Sequence, residues 1–360
     1  TLLGILLRIT PMKRKHKLLI FHFCMRWFSW FIIYGMIHVP KRFFNPNRED
    51  FKKPGIIIAN HQSHADIPLM LLLNTKTIVL TNDWVQSNAV YGFVVKLAGF
   101  LPVSAGHDYL LEQIKERIKE GYSILIYPEG TRSEDLNVAR FHKGPFYLAE
   151  KLKLDIIPVI IHGTGHIMPK REMYLRTGYI HYKICDRIAW DDPRYGSTYS
   201  ERSKAIRRHF ADEYRQFRQQ IETPDYFKDN LIKYYLYKGP VLEWYLRIKL
   251  RLEKNYNLFN DLLPRKGMIT DVGCGYGFLS HMLGMVSRDR KVLGIDYDEE
   301  KISVAANCNP LNKNVTFACS DALSYPYEAS DAFVISDVLH YLPKDEQFRL
   351  IITCIGKLND

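Results

Sequence analysis

Short apolar runs alternate with longer helix-like stretches in two separate parts of the chain, and this alternation limits the fold more than any other feature. In the first part, the runs predict strands at Ile56–Ala59, Thr77–Thr81, 123–127, Ile156–His162 and 179–184, with helices at 67–73, 84–97, 108–119 and 145–152. In the second part, "MITDV", "KVLGID", "VTFACS" and "DAFVIS" read as strands, and 278–285 as a helix. Such alternation is typical of α/β domains. The sequence therefore predicts two of them.

Changes in composition predict where these domains begin and end. A polar, turn-rich stretch, "WDDPRYGSTYS", follows the first set of strands, and a highly charged helix at 201–221 comes after it. We predict a membrane-proximal helical segment at 1–45, an α/β domain at 46–190, a helical linker at 191–262 and a second α/β domain at 263–360.

The chain is strongly basic and contains few cysteines. Its formal net charge of +11 fits anionic lipid surfaces, nucleic acid, or phosphorylated and CoA-like substrates, without choosing among them. No nucleic-acid recognition motif accompanies the charge, so we expect no nucleic-acid partner. The 6 cysteines show no CxxC spacing, which disfavours a zinc site or a disulfide framework and favours a reducing compartment.

An apolar stretch at 18–39 follows the basic run "KRKHK", and "TLLGILLRI" at 1–9 resembles the tail of an upstream apolar helix. The stretch at 18–39 is long enough to span a bilayer, but Arg26 near its middle is costly there. Trp27, Trp30 and Tyr34 suit the headgroup level. We predict an interfacial helix at the cytoplasmic face of the membrane, in contact with anionic lipid. The alternative is a packing helix of a soluble protein.

Polar side chains directly follow the first predicted strand, in "NHQSHADIP" at 60–68. A histidine at the end of a strand, held by a carboxylate, is positioned to act as a general base. His61 and Asp66 would not share a face of one helix, so they meet only if a turn intervenes. Ser63 could provide that turn as an N-cap with Asp66 at N3. Two alternatives stay open: a plain helix cap, and a metal site of His61, His64 and Asp66.

Another polar block, "YPEGTRSED" at 127–135, ends a second predicted strand. Gly130 permits a tight turn. Thr131 and backbone N–H groups can bind oxyanions, and the Arg132 guanidinium can bind a phosphate through two hydrogen bonds. The presence of this block weakens the interpretation that Ser63 and Asp66 only cap a helix and that the histidines are surface residues.

Together the two blocks resemble the glycerolphosphate and lysophosphatidic acid acyltransferases. Four residues match the family motif NHxSxxD: Asn60, His61, Ser63 and Asp66. The motif FPEGTRS is matched by "YPEGTRS" at 127–133, with tyrosine in place of the initial phenylalanine. The proline and valine of the family's last block are matched by Pro158 and Val159.

This resemblance implies acyl transfer from acyl-CoA or an acyl-carrier protein to a hydroxyl group of a lipid acceptor. His61, held by Asp66, would deprotonate the acceptor without help from a metal. Four residues would organise the acceptor head group: Glu129, Gly130, Thr131 and Arg132. Ala105 lies about where the family has an arginine that binds the acceptor phosphate. The acceptor is therefore expected to differ from a simple glycerol phosphate.

The second domain opens with a glycine-rich turn in "MITDVGCGYGF" at 268–278. Four residues form its DxGxGxG pattern: Asp271, Gly273, Gly275 and Gly277. Glycine lets the backbone approach a ligand, and the N-terminus of the following helix offers N–H donors. Asp296 ends the next predicted strand, where an acidic residue can bind ribose hydroxyls. The spacing is not GxGxxG, which disfavours NAD; a plain strand–helix turn stays possible.

This part of the chain, about 235–360, resembles the class I methyltransferases that use S-adenosyl-L-methionine. The resemblance implies that the glycines flank the methionine and ribose of this cofactor, that Asp296 binds the ribose, and that Asp321 lies near adenine. Asp337 and His340 would approach the methyl group or its acceptor, although we favour a surface role for His340. The family's later strands are not found before Asp360, so we expect a truncated Rossmann-like domain and a chain that is a fragment at both ends.

The sequence thus predicts an acyltransferase α/β domain followed by an incomplete Rossmann-like methyltransferase domain. We expect a membrane-associated, multifunctional enzyme whose two activities serve one lipid or pigment pathway, with the membrane lipid surface and an acyl-carrier protein as candidate partners. That last step is an analogy with bifunctional proteins. The alternative is a membrane scaffold with a degenerate methyltransferase half.

Overall fold

The computed structural model describes residues 10–88, 92–133, 137–170, 175–308 and 313–359. The chain divides between Phe217 and Arg218 into two compact units. We call them the first unit and the second unit. The apolar run at 1–9 and the middle of the helix predicted at 84–97 lie outside the described residues.

A seven-stranded sheet forms the centre of the first unit, in the order β1-β7-β6-β2-β5-β3-β4. Its strands are β1 Lys41–Phe44, β2 Ile56–Ala59, β3 Thr77–Thr81, β4 Leu101–Pro102, β5 Ser123–Ile126, β6 Ile156–His162 and β7 Ile180–Ile184. Neighbouring strands are parallel except β6 and β7, which are antiparallel. Every residue of β2, β5 and β6 is buried, as in sheets that are covered on both faces.

Helices surround this sheet: α1 Arg14–Gly35, α2 Asp66–Leu71, α3 Asp83–Ser87, α4 Gly92–Leu97, α5 His107–Lys119, α6 Gly144–Leu152, α7 Thr164–Ile167 and α8 Tyr199–Ile221. Short 3₁₀ turns occupy Val103–Ala105 and Pro193–Tyr195. The helix predicted at 84–97 is divided into α3 and α4, and the stretch predicted at 18–39 is shifted by four residues relative to α1; the other predicted strands and helices lie within one or two residues of these bounds. The edge strands β1 and β4 were not predicted, because their sequences, KRFF and LP, lack a long apolar run.

Helix α1 has a side that packs on the protein and a side that is exposed. By length and composition it could cross a membrane, a property that core helices and signal sequences share. The packed side is bound by polar contacts: His22 Nε2 lies 2.7 Å from the Ala98 carbonyl, and Arg26 Nη1 donates to Thr75 Oγ1 at 3.0 Å. The other side exposes aromatic rings, among them Trp27 and Phe28. Arg26 therefore has a protein partner and does not need to face lipid.

The second unit contains a four-stranded parallel sheet in the order β10-β9-β8-β11. Its strands are β8 Gly267–Val272, β9 Arg290–Asp296, β10 Val315–Cys319 and β11 Ala332–Ile335. These are the third, second, first and fourth strands of the unit in chain order. This strand order is the one found in doubly wound α/β folds. Helices α12 Phe278–Val286, α13 Glu299–Cys308 and α14 Lys344–Ile355 complete the alternation. The predicted fold class, two α/β domains of which the second is Rossmann-like, is confirmed.

Three helices before β8 contribute to the core of the second unit: α9 Pro224–Tyr235, α10 Pro240–Leu252 and α11 Asn255–Leu262. Their buried side chains, including Leu231, Tyr235 and Leu246, form one cluster with Phe278 and Met282 of α12. This part of the chain was predicted to be a linker. Its packing shows that residues 224–262 help to stabilise the second unit.

Helix α10 allows a direct test of this packing. Leu246 is 0% exposed, whereas Val241 on the same helix is 84% exposed. Leu246→Ala is expected to lower the free energy of unfolding by about 2–5 kcal/mol, because it leaves a cavity in the core. Val241→Ala is expected to change it by less than about 0.5 kcal/mol. Urea unfolding followed by circular dichroism measures both. Equal effects of the two substitutions would contradict the assignment of α10 to this core.

Candidate functional site

His61 and Asp66 are in direct contact in the first unit. His61 follows β2, and its Nδ1 lies 2.8 Å from Asp66 Oδ2. When Nδ1–H donates to this carboxylate, the lone pair of the imidazole is on Nε2. Asp66 is fully buried, whereas the His61 side chain retains 16% exposure. The pair therefore has an inner member that fixes the tautomer and an outer member that an acceptor can reach.

Asp66 also shapes the turn between β2 and α2. Its Oδ2 accepts the backbone N–H groups of Gln62 at 2.7 Å and Ser63 at 2.8 Å. The predicted cap, with Ser63 as N-cap and Asp66 at N3, is wrong in detail: α2 begins at Asp66, and the preceding Ala65 is the N-cap. Ser63 Oγ instead accepts the Ala65 N–H at 3.2 Å. The carboxylate closes the turn that brings the aspartate to the histidine.

The turn after β5 binds the His61 backbone on both sides. Glu129 Oε1 accepts the His61 N–H at 3.0 Å, and the Ser133 N–H donates to the His61 carbonyl at 2.7 Å. The other oxygen of Glu129, Oε2, accepts the Ala139 N–H at 3.0 Å. Glu129 was predicted to bind the acceptor. In the structure its carboxylate holds backbone groups, and its acceptor-binding role stays a prediction.

Burial gives the carboxyl group of Glu129 an unusually high pKa. The residue is 5% exposed, and burial raises its pKa to about 7, against the lowering effect of the Ala139 and His61 N–H groups. A group with this pKa changes its charge near neutral pH. The charge of the carboxyl group that holds the His61 backbone therefore changes near neutral pH.

Two further residues of the motifs position the histidine. The Tyr127 ring stacks on the His61 ring, with centroids 4.2 Å apart, and burial raises the pKa of Tyr127 well above its usual range. Asn60 ties β2 to β6: its Nδ2 donates to the Ile161 carbonyl and its Oδ1 accepts the Ile161 N–H, both at 2.8 Å. The position of these residues in the motifs is a sequence signal, but it does not reveal these contacts.

Three other predicted residues lie on the outer side of the same turn. Gly130 has a positive φ of 70°, which favours glycine, and its carbonyl accepts Asn82 Nδ2 at 3.0 Å. Thr131 is exposed and Arg132 is partly exposed. Arg132 Nη1 lies 3.4 Å from the Lys170 carbonyl. These side chains are reachable from solvent, as a group that binds an acceptor must be.

Sequence reasoning missed a buried polar network behind His61. Gln62 Nε2 donates to Tyr214 Oη at 2.6 Å, and His162 Nδ1 lies 3.4 Å from the same oxygen. Tyr214 belongs to α8, far from both partners in sequence and outside any motif. No local pattern could have identified it. As for metals, no group of three or more His, Cys, Asp or Glu side chains converges among the residues that the structure describes.

The glycine-rich turn of the second unit lies at the carboxyl end of β8. Gly273, Gly275 and Gly277 all have positive φ, at 73°, 56° and 73°. A side chain at Gly273 would collide with Val338, whereas one at Gly275 would meet open space. Asp271 is buried beneath the turn and accepts Ser280 Oγ at 2.6 Å; burial raises its pKa to about 6. Asp271 thus supports the turn from inside.

Asp296 lies beside this turn, at the end of β9. Its Oδ2 accepts the Gly275 N–H at 2.8 Å and its Oδ1 accepts the Asp298 N–H at 3.0 Å. A carboxylate can accept about four hydrogen bonds, so both oxygens retain acceptor capacity. The structure therefore brings together the two elements that the sequence predicted to share a ligand.

The remaining predicted residues of the second unit are more exposed. Asp321 lies two residues beyond β10, whose last residue, Cys319, is in register with Asp296. The exposed Asp321 accepts the Leu323 N–H at 3.2 Å. Asp337 and His340 are also exposed, and Asp337 has a positive φ of 56°. The carboxyl ends of β8, β9 and β10 thus carry Asp271, Asp296 and Asp321 at one edge of the sheet.

Comparisons with known proteins match each of the two domains to a protein family. Residues 33–162 match the family model described as Acyltransferase, and residues 269–358 match the model described as Methyltransferase domain. Over 149 residues the chain is 31% identical to a chloroplastic 1-acyl-sn-glycerol-3-phosphate acyltransferase of Brassica napus, covering 40% of this chain and 42% of that protein. It is 25% identical over 150 residues to human 1-acyl-sn-glycerol-3-phosphate acyltransferase beta, covering 40% of this chain and 54% of that protein.

A solved structure shares the acyltransferase fold. It is the 1-acyl-sn-glycerophosphate acyltransferase PlsC from Thermotoga maritima, with a TM-score of 0.50 and 21% identity, covering 60% of this chain and 87% of that one. The chain spans about half or less of the length of the two acyltransferases from Brassica napus and human.

The pKa of Glu129 predicts a pH-dependent stability. Because its folded-state value of about 7 exceeds the usual 4.5, the folded protein holds the proton more tightly than the unfolded chain. Protonation of Glu129 therefore adds at most about 3 kcal/mol to the free energy of unfolding. This contribution is fully present below pH 4.5 and is lost as the pH rises through 7. Glu129→Gln should remove this slope.

Urea unfolding of wild type and variant between pH 4.5 and 8 measures the difference in slope. Glu116→Gln, which removes an exposed carboxylate of α5, is the control and should keep the wild-type slope. A Glu129→Gln variant with the wild-type slope would exclude Glu129 as the titrating group.

Proposed function

We propose, from an acyltransferase domain and a methyltransferase domain in one chain, that this protein acylates a hydroxyl group of a lipid acceptor and also transfers a methyl group. The observation that carries the first activity is the contact of 2.8 Å between His61 and Asp66, with the histidine on the exposed side. A glycerolphosphate-like or related lipid acceptor and an acyl-CoA or acyl-carrier protein donor fit this arrangement. We place both activities in one lipid or pigment pathway.

In the acyl transfer, His61 Nε2 accepts the proton of the acceptor hydroxyl as its oxygen attacks the thioester carbonyl. The Asp66 carboxylate stabilises the imidazolium that forms and keeps Nδ1 protonated. The imidazolium then returns a proton to the departing thiolate. Because the oxygen attacks directly, no acyl group becomes attached to the protein.

The acceptor head group is bound on the outer side of the turn after β5. Thr131 offers a hydroxyl group there, and the Arg132 guanidinium is suited to a phosphate or another anion. Gly130 lets the backbone turn with a positive φ at a point where a side chain would press against the His142 ring. The buried Glu129 keeps this turn attached to the His61 backbone.

S-adenosyl-L-methionine fits the glycine-rich turn of the second unit, because the space above Gly275 is open and the Asp296 carboxylate borders it. When bound, this cofactor supplies an electrophilic methyl group. Gly273 and Gly277 allow close approach of the backbone, and Asp296 accepts hydrogen bonds from ribose hydroxyls. Asp321, at the end of the next strand, is assigned to the adenine side. Asp337 and His340 are the residues that we assign to the side of the methyl acceptor.

Membrane association is proposed for α1, at the cytoplasmic face. Its exposed side carries Trp27, Phe28, Trp30 and Phe31, residue types that favour the bilayer interface. Its other side is bound to the protein through His22 and contacts of Arg26. A helix held in this way is suited to lie along the membrane surface and to bring a lipid acceptor to the first unit.

His61→Ala is expected to reduce acyl transfer by at least about 100-fold, because it removes the general base. Asp66→Asn should also reduce it strongly, since the amide can no longer stabilise the imidazolium. The control is His64→Ala, which removes the exposed histidine of the same motif and should keep most of the activity. Thioester consumption by the purified proteins measures the effect. Turnover by His61→Ala at the wild-type rate would exclude the general-base role.

Asp296→Asn is expected to weaken binding of S-adenosyl-L-methionine by about 10-fold to 100-fold, the cost of one charged hydrogen bond. Glu299→Gln, which removes an exposed carboxylate three residues later, should not change the affinity. Calorimetric titration of the cofactor into each protein measures the dissociation constants. Unchanged affinity in Asp296→Asn would contradict its assignment to the ribose.

A further inference from the structure

A cavity of about 500 Å³ in the first unit lies between α8 and the loop at 138–143. We call it the α8 cavity. Five cationic side chains line it: Arg140, Lys143, Lys204, Arg207 and Arg208. Two come from the loop that follows the turn after β5, and three come from α8. The helix lies beyond residues 33–162, so the acyltransferase family match includes only the loop half of the cavity.

Within the described part of the chain, none of these five cations has an acidic partner. Arg140, Lys143, Lys204 and Arg208 make no ion pair there, and Arg207 binds only backbone carbonyls. Other arginines of α8 are paired: Arg202 with Glu150, Arg215 with Asp212 and Arg218 with Glu222. The unpaired cations of α8 are thus gathered at the cavity. Mutual repulsion of these charges disfavours the empty cavity and favours an anion within it.

The walls of the cavity are fixed to each other by hydrogen bonds. Arg207 Nη2 donates to the Val138 carbonyl at 2.7 Å and Nε donates to the Ala139 carbonyl at 3.2 Å. Ser203 Oγ donates to the Phe141 carbonyl at 3.4 Å. Loop and helix are therefore held in place before any ligand arrives. Binding to such a site costs less conformational entropy than ordering a mobile loop.

We propose that the α8 cavity binds a ligand that carries two or more phosphate groups. A phosphate monoester carries about two negative charges at neutral pH, so two of them balance four of the five cations that line the cavity. Arginine and lysine are the side chains that bind phosphate in proteins. The volume also fits, since pockets for small ligands measure about 300–1,000 Å³.

The lining of the cavity argues against a membrane surface or an acidic protein. Its large apolar side chain, Phe141, is only 3% exposed, so it cannot insert into a bilayer as interfacial anchors do. A protein partner usually buries about 800 Å² on each side, more than a concave site of this size offers. A soluble oligophosphate matches both the charge and the shape.

Two sources of such a ligand are possible: the nucleotide part of a CoA thioester, or a free oligophosphate. Contacts connect the cavity to the acyl-transfer site, because the Ala139 carbonyl accepts Arg207 while the Ala139 N–H donates to Glu129, which holds His61. The first source rests on the proposed acyl transfer. Phosphate binding in the α8 cavity does not rest on the proposed acyl transfer. Either proposal can therefore fail while the other holds.

The test is calorimetric titration of pyrophosphate and of adenosine 3′,5′-bisphosphate into the full chain. The variant is Lys204→Gln with Arg208→Gln, two exposed side chains one turn apart on α8. Its affinity for both compounds should fall by about 100-fold, near tenfold for each lost cation. Lys115→Gln with Lys119→Gln makes the same charge change on α5 and should retain wild-type affinity.

Binding of both compounds, weakened only by the α8 substitutions, supports the proposal. Absence of binding to wild type, or equal affinity in wild type and the α8 variant, overturns it. So does binding of phosphatidic acid vesicles or an acidic acyl-carrier protein when neither phosphate compound binds.

Acyl-CoA kinetics then identify the source. A raised KM with unchanged kcat in the α8 variant supports the nucleotide of the donor; an unchanged KM, with phosphate binding lost, supports a free oligophosphate. If wild type consumes no thioester, the proposed acyl transfer fails, and the titrations still decide the cavity.

Discussion

The first unit depends on the hydrogen bonds between His61 and the turn after β5. Glu129 of that turn accepts the His61 N–H, and the Ser133 N–H donates to the His61 carbonyl. This contact follows from the sheet. β2 and β5 are parallel neighbours, with Ile58 opposite Ile126, so their carboxyl ends lie side by side. The ring of His61 is then fixed by Asp66 and Tyr127. The imidazole that we propose as the general base is thus oriented by the protein alone, before substrate binds, which is the condition for efficient proton transfer.

Both units use a carboxylate to fix a turn: Asp66 is the first residue of α2, and Asp296 is the last residue of β9. Asp66 accepts backbone N–H groups of Gln62 and Ser63, and Asp296 accepts the N–H of Gly275. In each case the same side chain is assigned a role toward substrate or cofactor. Such a residue both holds the turn and contacts the substrate or cofactor. Replacing it therefore changes the shape of the turn and the chemistry of the site together.

Sequence reasoning identified the elements with strong local signals and missed those that depend on distant partners. The strand β6 was predicted with its observed bounds because its sequence, IIPVIIH, is a continuous apolar run that ends in a histidine. His61 and Asp66 were found because they are close in sequence. By contrast, Tyr214 reaches Gln62 from a helix 152 residues away. The backbone partners of Glu129 were also missed, because the His61 and Ala139 N–H groups approach its carboxylate only in the folded chain. The packing of α9 to α11 was also hidden, since an amphipathic pattern predicts a helix but not its neighbour.

The position of β1 at the edge of the sheet has a consequence for protein synthesis. In the described sheet its neighbour is β7, with Lys41 opposite Ile180. A ribosome releases Lys41 long before Ile180, so during that interval β1 has no strand to join. β2 likewise waits for β5 and β6. The sheet of the nascent first unit therefore cannot close until β7 has been translated, a period in which apolar segments such as Ile56–Ala59 lack their strand partners and are exposed to aggregation.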